Sequence, residues 1–175
     1  MTRTNRRPIA LTEVADYYQT YISKVQKDDF LEVLKDNTPK VLSFFGNLSE
    51  EQWLFRYAPS KWSIKEVAMH IIDTERIMAY RALRIARGDQ TPMAGYEQDD
   101  YVPLSKADER TSESILKEYE AVRQSSIQLF EYFDDNHLDT IGMASGCPFT
   151  PRALGFILAG HETHHVGVVE RIYLK

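Results

Sequence analysis

Apolar residues recur at steps of three and four along four stretches of this chain, and no segment alternates with period two at comparable strength. The first stretch runs from about Asp28 to Phe45, with Phe30, Leu31, Leu34, Val41, Leu42 and Phe45 on its apolar positions. Pro39 lies inside it and removes one backbone hydrogen bond. The apolar phase continues past the proline, which predicts a kinked helix rather than two short ones. Upstream, Tyr17, Tyr21 and Val25 predict a short leading helix.

The second stretch opens at Ser63, which can cap a helix, with Glu66 placed to complete a capping box. It continues to Arg87, and Gly88 supplies the stop. A loop follows, GDQTPMAGYEQDDYVPLSKAD, rich in carboxylates. The third stretch covers roughly Thr111 to Phe133, with Ile115, Tyr119, Val122, Leu129 and Phe133 as the expected inward stripe. The fourth begins at Thr150, a plausible N-cap, with Pro151 in the first helical position where its missing N–H does no harm. The expected fold class is therefore all-α, a bundle of four main helices with a short leading helix. No repeat or composition break marks a second domain. Residues 1–27 read as a lead segment packing on the bundle, and residues 28–175 as the bundle itself.

The fourth stretch carries the chemistry. Its seam reads Leu154, Leu158, His161, His165, Val168, Ile172, and two of those positions are histidine where leucine would pack better. His161 and His165 are one turn apart, so both imidazoles project to one side and suit a single metal ion. The bland alternative is a pair of core histidines bonded to side chains or water. His164 falls off the seam, in line with Ile157, Gly160, Gly167 and Arg171. A third ligand would come from elsewhere, from His70 or His137. His137 lies in the polar segment DDNHLD and reads as solvated. His70 sits on a polar line of the second stretch, Glu66, His70, Asp73, Ile77, Tyr80, Arg84, which is either a solvated face or the lining of a cavity. Asp73 is a candidate to orient a ligand, to be one, or to form a surface salt bridge.

HETHH, residues 161–165, also satisfies the H-E-x-x-H pattern, in which Glu162 would be a general base. The extended pattern asks for glycine and histidine at 168 and 171, where this chain has Val168 and Arg171. The other form takes a glutamate well downstream; Glu170 is too near, and the sequence stops at Lys175. Any third ligand is expected upstream, and a protease reading is not favoured.

Composition narrows the partners. Hydrophobic residues make up 43% and aromatics 11%, which fits a folded globular chain. The formal charge of −5 speaks against nucleic acid, because phosphate binding needs a concentrated basic face. No apolar run approaches the roughly 20 residues of a membrane span. The start, MTRTNRRPIALTEV, lacks the apolar stretch of a secretory signal. Cys147 is the single cysteine, so no intramolecular disulfide forms, and a reducing cytoplasm is the expected location.

The segments KWSIKEVAMHIIDTERIMAYRALRIARGD and TPRALGFILAGHETHHVGVVERIYL, with YEQDDYV and EYEAVRQSSIQLF between them, resemble the DinB/YfiT-like superfamily over nearly the whole chain from about residue 28. The resemblance implies a four-helix bundle with a divalent metal held by three histidines, here His70, His161 and His165, with water completing the coordination. It implies a homodimer. It also implies thiol S-transfer of the kind that uses bacillithiol or mycothiol, or hydrolysis, and gives no reason to expect DNA binding. Cys147 is not a position to which the family pattern assigns catalysis.

Three neutral imidazoles leave an ion its full charge and an open position, the arrangement of a Lewis acid. The expected cofactor is a divalent ion, zinc or nickel first, with iron, manganese and copper also compatible. Glu162, Asp73 and Tyr80, with Glu66, are the candidates for proton handling. Glu162 is rotated about 100° from His161 on the helix and can instead pair with another helix. The expected function is metal-dependent S-transfer from a low-molecular-weight thiol to a small electrophile. The alternatives are metal-dependent hydrolysis of small molecules and a non-catalytic, metal-stapled binding bundle, which would close its coordination with a fourth protein ligand.

Overall fold

A computed structural model describes residues 14–175. Residues 1–13 of the expected lead segment lie outside the described residues. The helices run in the order α1 (Asp16–Ile22), α2 (Phe30–Gly46), α3 (Glu50–Leu54), α4 (Ile64–Ala86), α5 (Gln98–Leu104), α6 (Ser112–Glu131), α7 (Asp135–Asp139) and α8 (Pro151–Val168). A two-stranded hairpin, β1 (Gly142–Ala144) and β2 (Cys147–Phe149), precedes α8. The four long helices, α2, α4, α6 and α8, correspond to the four apolar stretches.

Local chemistry sets their ends. Asp29, Ser63, Thr111 and Thr150 each accept hydrogen bonds from the first-turn amides of their helices. Ser63 and Glu66 form the full capping box on α4. Gly88, just past the C-cap of α4, takes φ +78°. The helix α2 is continuous through Pro39.

Four smaller elements were not legible in the periodicity: α3, α5, α7 and the hairpin. The turn of the hairpin is Ser145–Gly146, both at positive φ, as a tight turn matched to strand twist requires. Such short elements carry too few apolar positions to show a period. Capping boxes hold α3 (Ser49 with Gln52) and α7 (Asp134 with His137), and tertiary contacts hold the hairpin, for example the Arg81 guanidinium donating to the Ala94 carbonyl and Ser145 Oγ.

Helix α4 packs against both α6 and α8, α2 packs on α6 and α8, and α1 lies along α8. Gly160 makes the last contact possible: a Cβ there would collide with the Tyr21 carbonyl.

The apolar core falls into two clusters, one around Phe30, Met78, Ile127, Phe130 and Leu154, the other around Phe45, Ile64, Ile72, Ile115 and Val169. Between them every main helix contributes buried polar groups: Thr38 from α2, Thr74 and Glu75 from α4, Arg123 and Ser126 from α6, and His161 and Glu162 from α8.

Two seam expectations need correction. Ile172 is 46% exposed, while Val169 and Tyr173 are buried. The chain after Val168 is π-helical, Val169–Tyr173, with the Leu174 amide donating to the Val169 carbonyl. The wider turn advances the inward phase by one residue, so the step after His165 falls on 169 and 173 instead of 168 and 172. On α6 the buried line is Ile115, Tyr119, Arg123, Ile127 and Phe130, with Val122 and Leu129 only half-buried beside it.

Candidate metal centre

His70 reaches inward from α4, and His161 and His165 from α8. Their ligand atoms lie within 4.8 Å of one another. The Nε2 atoms of His70 and His161 are 3.0 Å apart. Ring centroids are separated by 4.8 Å for His70 and either partner, and by 4.4 Å for His161 and His165. The packing around the trio fixes the rings. Trp62 lies tilted against His70 at 5.0 Å, and Tyr21 stands edge-on to His161 at 5.2 Å. The Tyr173 hydroxyl donates to the Trp62 carbonyl, so the π-helical end of the chain holds the tryptophan in place.

Burial keeps these imidazoles neutral. It pushes His70 down to about 4 and, with His70 and His164 as further neighbours, His165 down to about 3. His161, the most deeply buried, is driven well below its ordinary value by burial and by the other two rings. A neutral imidazole has a lone pair to give. Three of them facing one another satisfy at most one mutual hydrogen bond, between His70 and His161. The nitrogen donor set is one that binds a divalent ion at about 2.0–2.1 Å, and holding one ion requires the ligand atoms to close from within 4.8 Å of one another to within about 4.2 Å.

Among the described residues this is the group of histidine, cysteine or carboxylate side chains close enough to hold an ion. His137 is not part of it. That side chain sits on α7 against Asp134 Oδ1 at 2.6 Å. His164 also stands outside, on the wall of the cleft beside His165. Cys147 is half-buried at the start of β2.

The proposed proton handlers are placed differently from one another. Glu162 is buried and turned away from the trio. Its Oε2 accepts from the Tyr119 hydroxyl at 2.6 Å and from Arg123 Nη2, and its Oε1 accepts from Arg123 Nη1 at 3.3 Å. It therefore pairs with another helix, and every contact it makes here is with α6. Tyr80 is 54% exposed and bonded to Arg84. At ten residues from His70 along α4 it lies about 15 Å away along the axis, so the structure does not bring it to the histidines. Asp73 is half-buried beside Arg76 at 3.7 Å, and burial raises its carboxyl above the ordinary range. Glu66 completes the α4 cap and pairs with Arg56 at 2.6 Å.

The polar residues that sequence reasoning missed are Glu75 and Arg123. Arg123 is fully buried. Nε and Nη2 grip Glu75 at 2.9 and 2.8 Å, Nη1 and Nη2 meet Glu162, and Nη1 also reaches the Leu34 carbonyl at 3.4 Å. All five N–H donors of the guanidinium are engaged. The signal was available: Arg123 continues the line Ile115, Tyr119 at a step of four, as the histidines do on α8.

Two clefts border the trio. One of about 680 Å³ is lined by Trp62, Glu66, His164, His165 and Tyr173, among others. A smaller one of about 220 Å³ has His161 in its wall together with Thr74, Met78 and four tyrosines.

Fold and donor set together define a class, the helical bundle built around an inward-facing site able to take a metal ion. Residues 33–169 match the family model of the DinB superfamily, and the chain belongs to that superfamily. Among solved structures it is similar to YfiT from Bacillus subtilis, described as a probable metal-dependent hydrolase with an unusual four-helix bundle topology. The TM-score is 0.74 at 13% identity, over 95% of this chain and 91% of that one, a likeness of fold. No curated protein matches the chain.

Proposed function

We propose that this protein is a divalent-metal-dependent enzyme that joins a low-molecular-weight thiol to a small electrophile. The observation that carries the reading is the convergence of three neutral imidazoles, from two helices, beside two separate clefts. His70, His161 and His165 would hold the ion. The bound ion supplies Lewis acidity, which lowers the pKa of a nucleophile beside it. Imidazole suits zinc, nickel, iron and copper alike; zinc and nickel are the ions proposed first, with iron, manganese and copper as further candidates. Two clefts give room for two organic reactants, which favours transfer. Trp62 and Tyr21 hold the ligand rings, and Glu66, in the wall of the large cleft, and the half-buried Asp73, three residues after His70 on α4, are the carboxylates proposed to take a proton. Glu162 is engaged by Arg123 and Tyr119, which argues against its use as the base of a zinc protease.

A second reading, hydrolysis of a small ester or amide, is favoured by the description of YfiT. One preparation separates the readings. Elemental analysis of the purified protein is expected to find about one equivalent of divalent metal, lost in His161→Ala. The metal-loaded protein is then assayed with a thiol plus an electrophile and, separately, with chromogenic esters and amides. Thiol-dependent consumption of the electrophile supports transfer. Turnover without thiol supports hydrolysis. Equal metal content in both proteins rejects the site.

A further inference from the structure

We propose that the small tyrosine-lined cleft beside His161 is a second ligand site, selective for a compact organic anion built on one ring, such as an aromatic carboxylate. Its place beside the histidines ties it to the reading above, but the binding itself needs no metal. The two clefts share no lining residue. Along α4 the large one takes Glu66 and Val67 and the small one Thr74 and Met78, with His70 between. Along α8 the large one takes His165 and Val168 and the small one Ile157 and His161. A ligand in the small cleft therefore approaches the trio from the other side.

Size, shape and charge set its class. At about 220 Å³ the cleft is below the roughly 300–1,000 Å³ of sites for drug-sized ligands, which limits it to a single ring with a short substituent. Tyr17 stands edge-on to both Tyr18 and Tyr21, at 5.1 and 5.8 Å, and Tyr96 closes the wall. Rings set at such angles offer faces and edges to a planar guest.

The charge comes from Arg81. It is 2% exposed, and its guanidinium lies over the Tyr96 ring at 5.9 Å and against Met78 Sδ at 3.8 Å, two residues of the cleft wall. Its other bonds go to the Ala94 carbonyl, Ser145 Oγ and the Tyr18 side chain, all neutral. Among the described residues no carboxylate pairs with it. A buried cation without a counter-ion is costly, and an anion in the adjoining cleft would relieve that cost. Glu97, the carboxylate on the same wall, is exposed and caps α5 through the Asp99 amide.

Benzoate, benzyl alcohol and benzylamine are the probes, titrated calorimetrically into the metal-loaded and the EDTA-stripped protein. Benzoate is expected to bind about tenfold or more tighter than the other two in both forms, a tenfold step being 1.4 kcal/mol. Tyr96→Ala is expected to weaken benzoate at least about tenfold while Tyr96→Phe retains it, and Arg81→Met to abolish the preference for benzoate over benzyl alcohol. Should Arg81→Met fail to fold, the charge series and the Tyr96 pair decide alone. Equal affinity for the three probes, absence of saturable binding, or loss of benzoate binding on stripping the metal overturns the proposal. A purified protein that takes up no metal when loaded, yet binds benzoate, rejects the metal reading and leaves this one standing.

Discussion

The polar layer of the bundle has two halves that treat charge in opposite ways. On one side Arg123, Glu75, Glu162 and Tyr119 form a sealed ionic cluster in which each donor of the guanidinium has an acceptor. On the other, His70, His161 and His165 are neutral, joined by a bond between His70 and His161, and bordered by clefts. His161 and Glu162 are neighbours in sequence and belong to different halves. Both halves interrupt an apolar seam, so both look alike as patterns. They differ in what remains unsatisfied. The ionic cluster closes on itself and is suited to fixing helix positions. The imidazole trio keeps lone pairs in hand and is suited to taking a ligand.

The contrast is broken most forcefully at Arg123. Arg123→Met leaves two buried carboxylates without their cation and is expected to cost about 3–5 kcal/mol of stability, read as a lower urea midpoint. A loss under about 1 kcal/mol would show that the cluster is not the fixed half.

Acid acts next, and on the histidine half. The folded protein holds His70 neutral down to about pH 4 and His165 to about pH 3, whereas an unfolded chain protonates near 6.5. Between those values the unfolded state binds more protons, so the stability of the metal-free protein falls as pH drops. His70 alone contributes roughly 3 kcal/mol to this loss, spread from about pH 6.5 to 4. Denaturant titrations of the stripped protein at pH 7, 5.5 and 4 check the slope. A flat profile would mean that the imidazoles are not buried as described.

Metal sharpens the comparison. Excess zinc is expected to raise the melting temperature of the native protein by linkage, about 2.7 kcal/mol when free metal is a hundredfold above Kd. That gain is expected to vanish in His161→Ala and persist in Tyr119→Phe. Tyr119→Phe removes one hydrogen bond to a carboxylate and is expected to cost about 1.5–3 kcal/mol, without changing metal content. The smallest effect is expected at Tyr80. Tyr80→Phe should leave metal content unchanged and stability within about 0.5 kcal/mol, because its partner Arg84 also bonds Asp89.

Much of this molecule could be read from the chain. The capping residues Ser63 and Thr150 act on their own helices, so sequence neighbours suffice to reveal them. The long amphipathic stretches show their inward faces because each face is set by a local period. His161 and His165 could be paired for the same reason, since one helical turn relates them. Arg123 was missed because a cation in a seam reads as solvated unless its partners are known, and those partners, Glu75 and Glu162, stand on two other helices. The Val168 and Ile172 positions were misjudged because a π-turn changes the period without an obvious sign in composition.

The sequence by itself determined the four long helices, the caps at Ser63 and Thr150 and the two-histidine face, all consequences of contacts made within a few residues, and it carried the likeness to the family. Only the tertiary structure decided that His70 faces that pair, that Glu162 turns to Arg123 instead, and that two separate clefts border the trio. Those outcomes depend on which side chains meet across packed helices, and burial makes each meeting matter: in a low-dielectric interior a polar group must find its partner or remain open to a ligand.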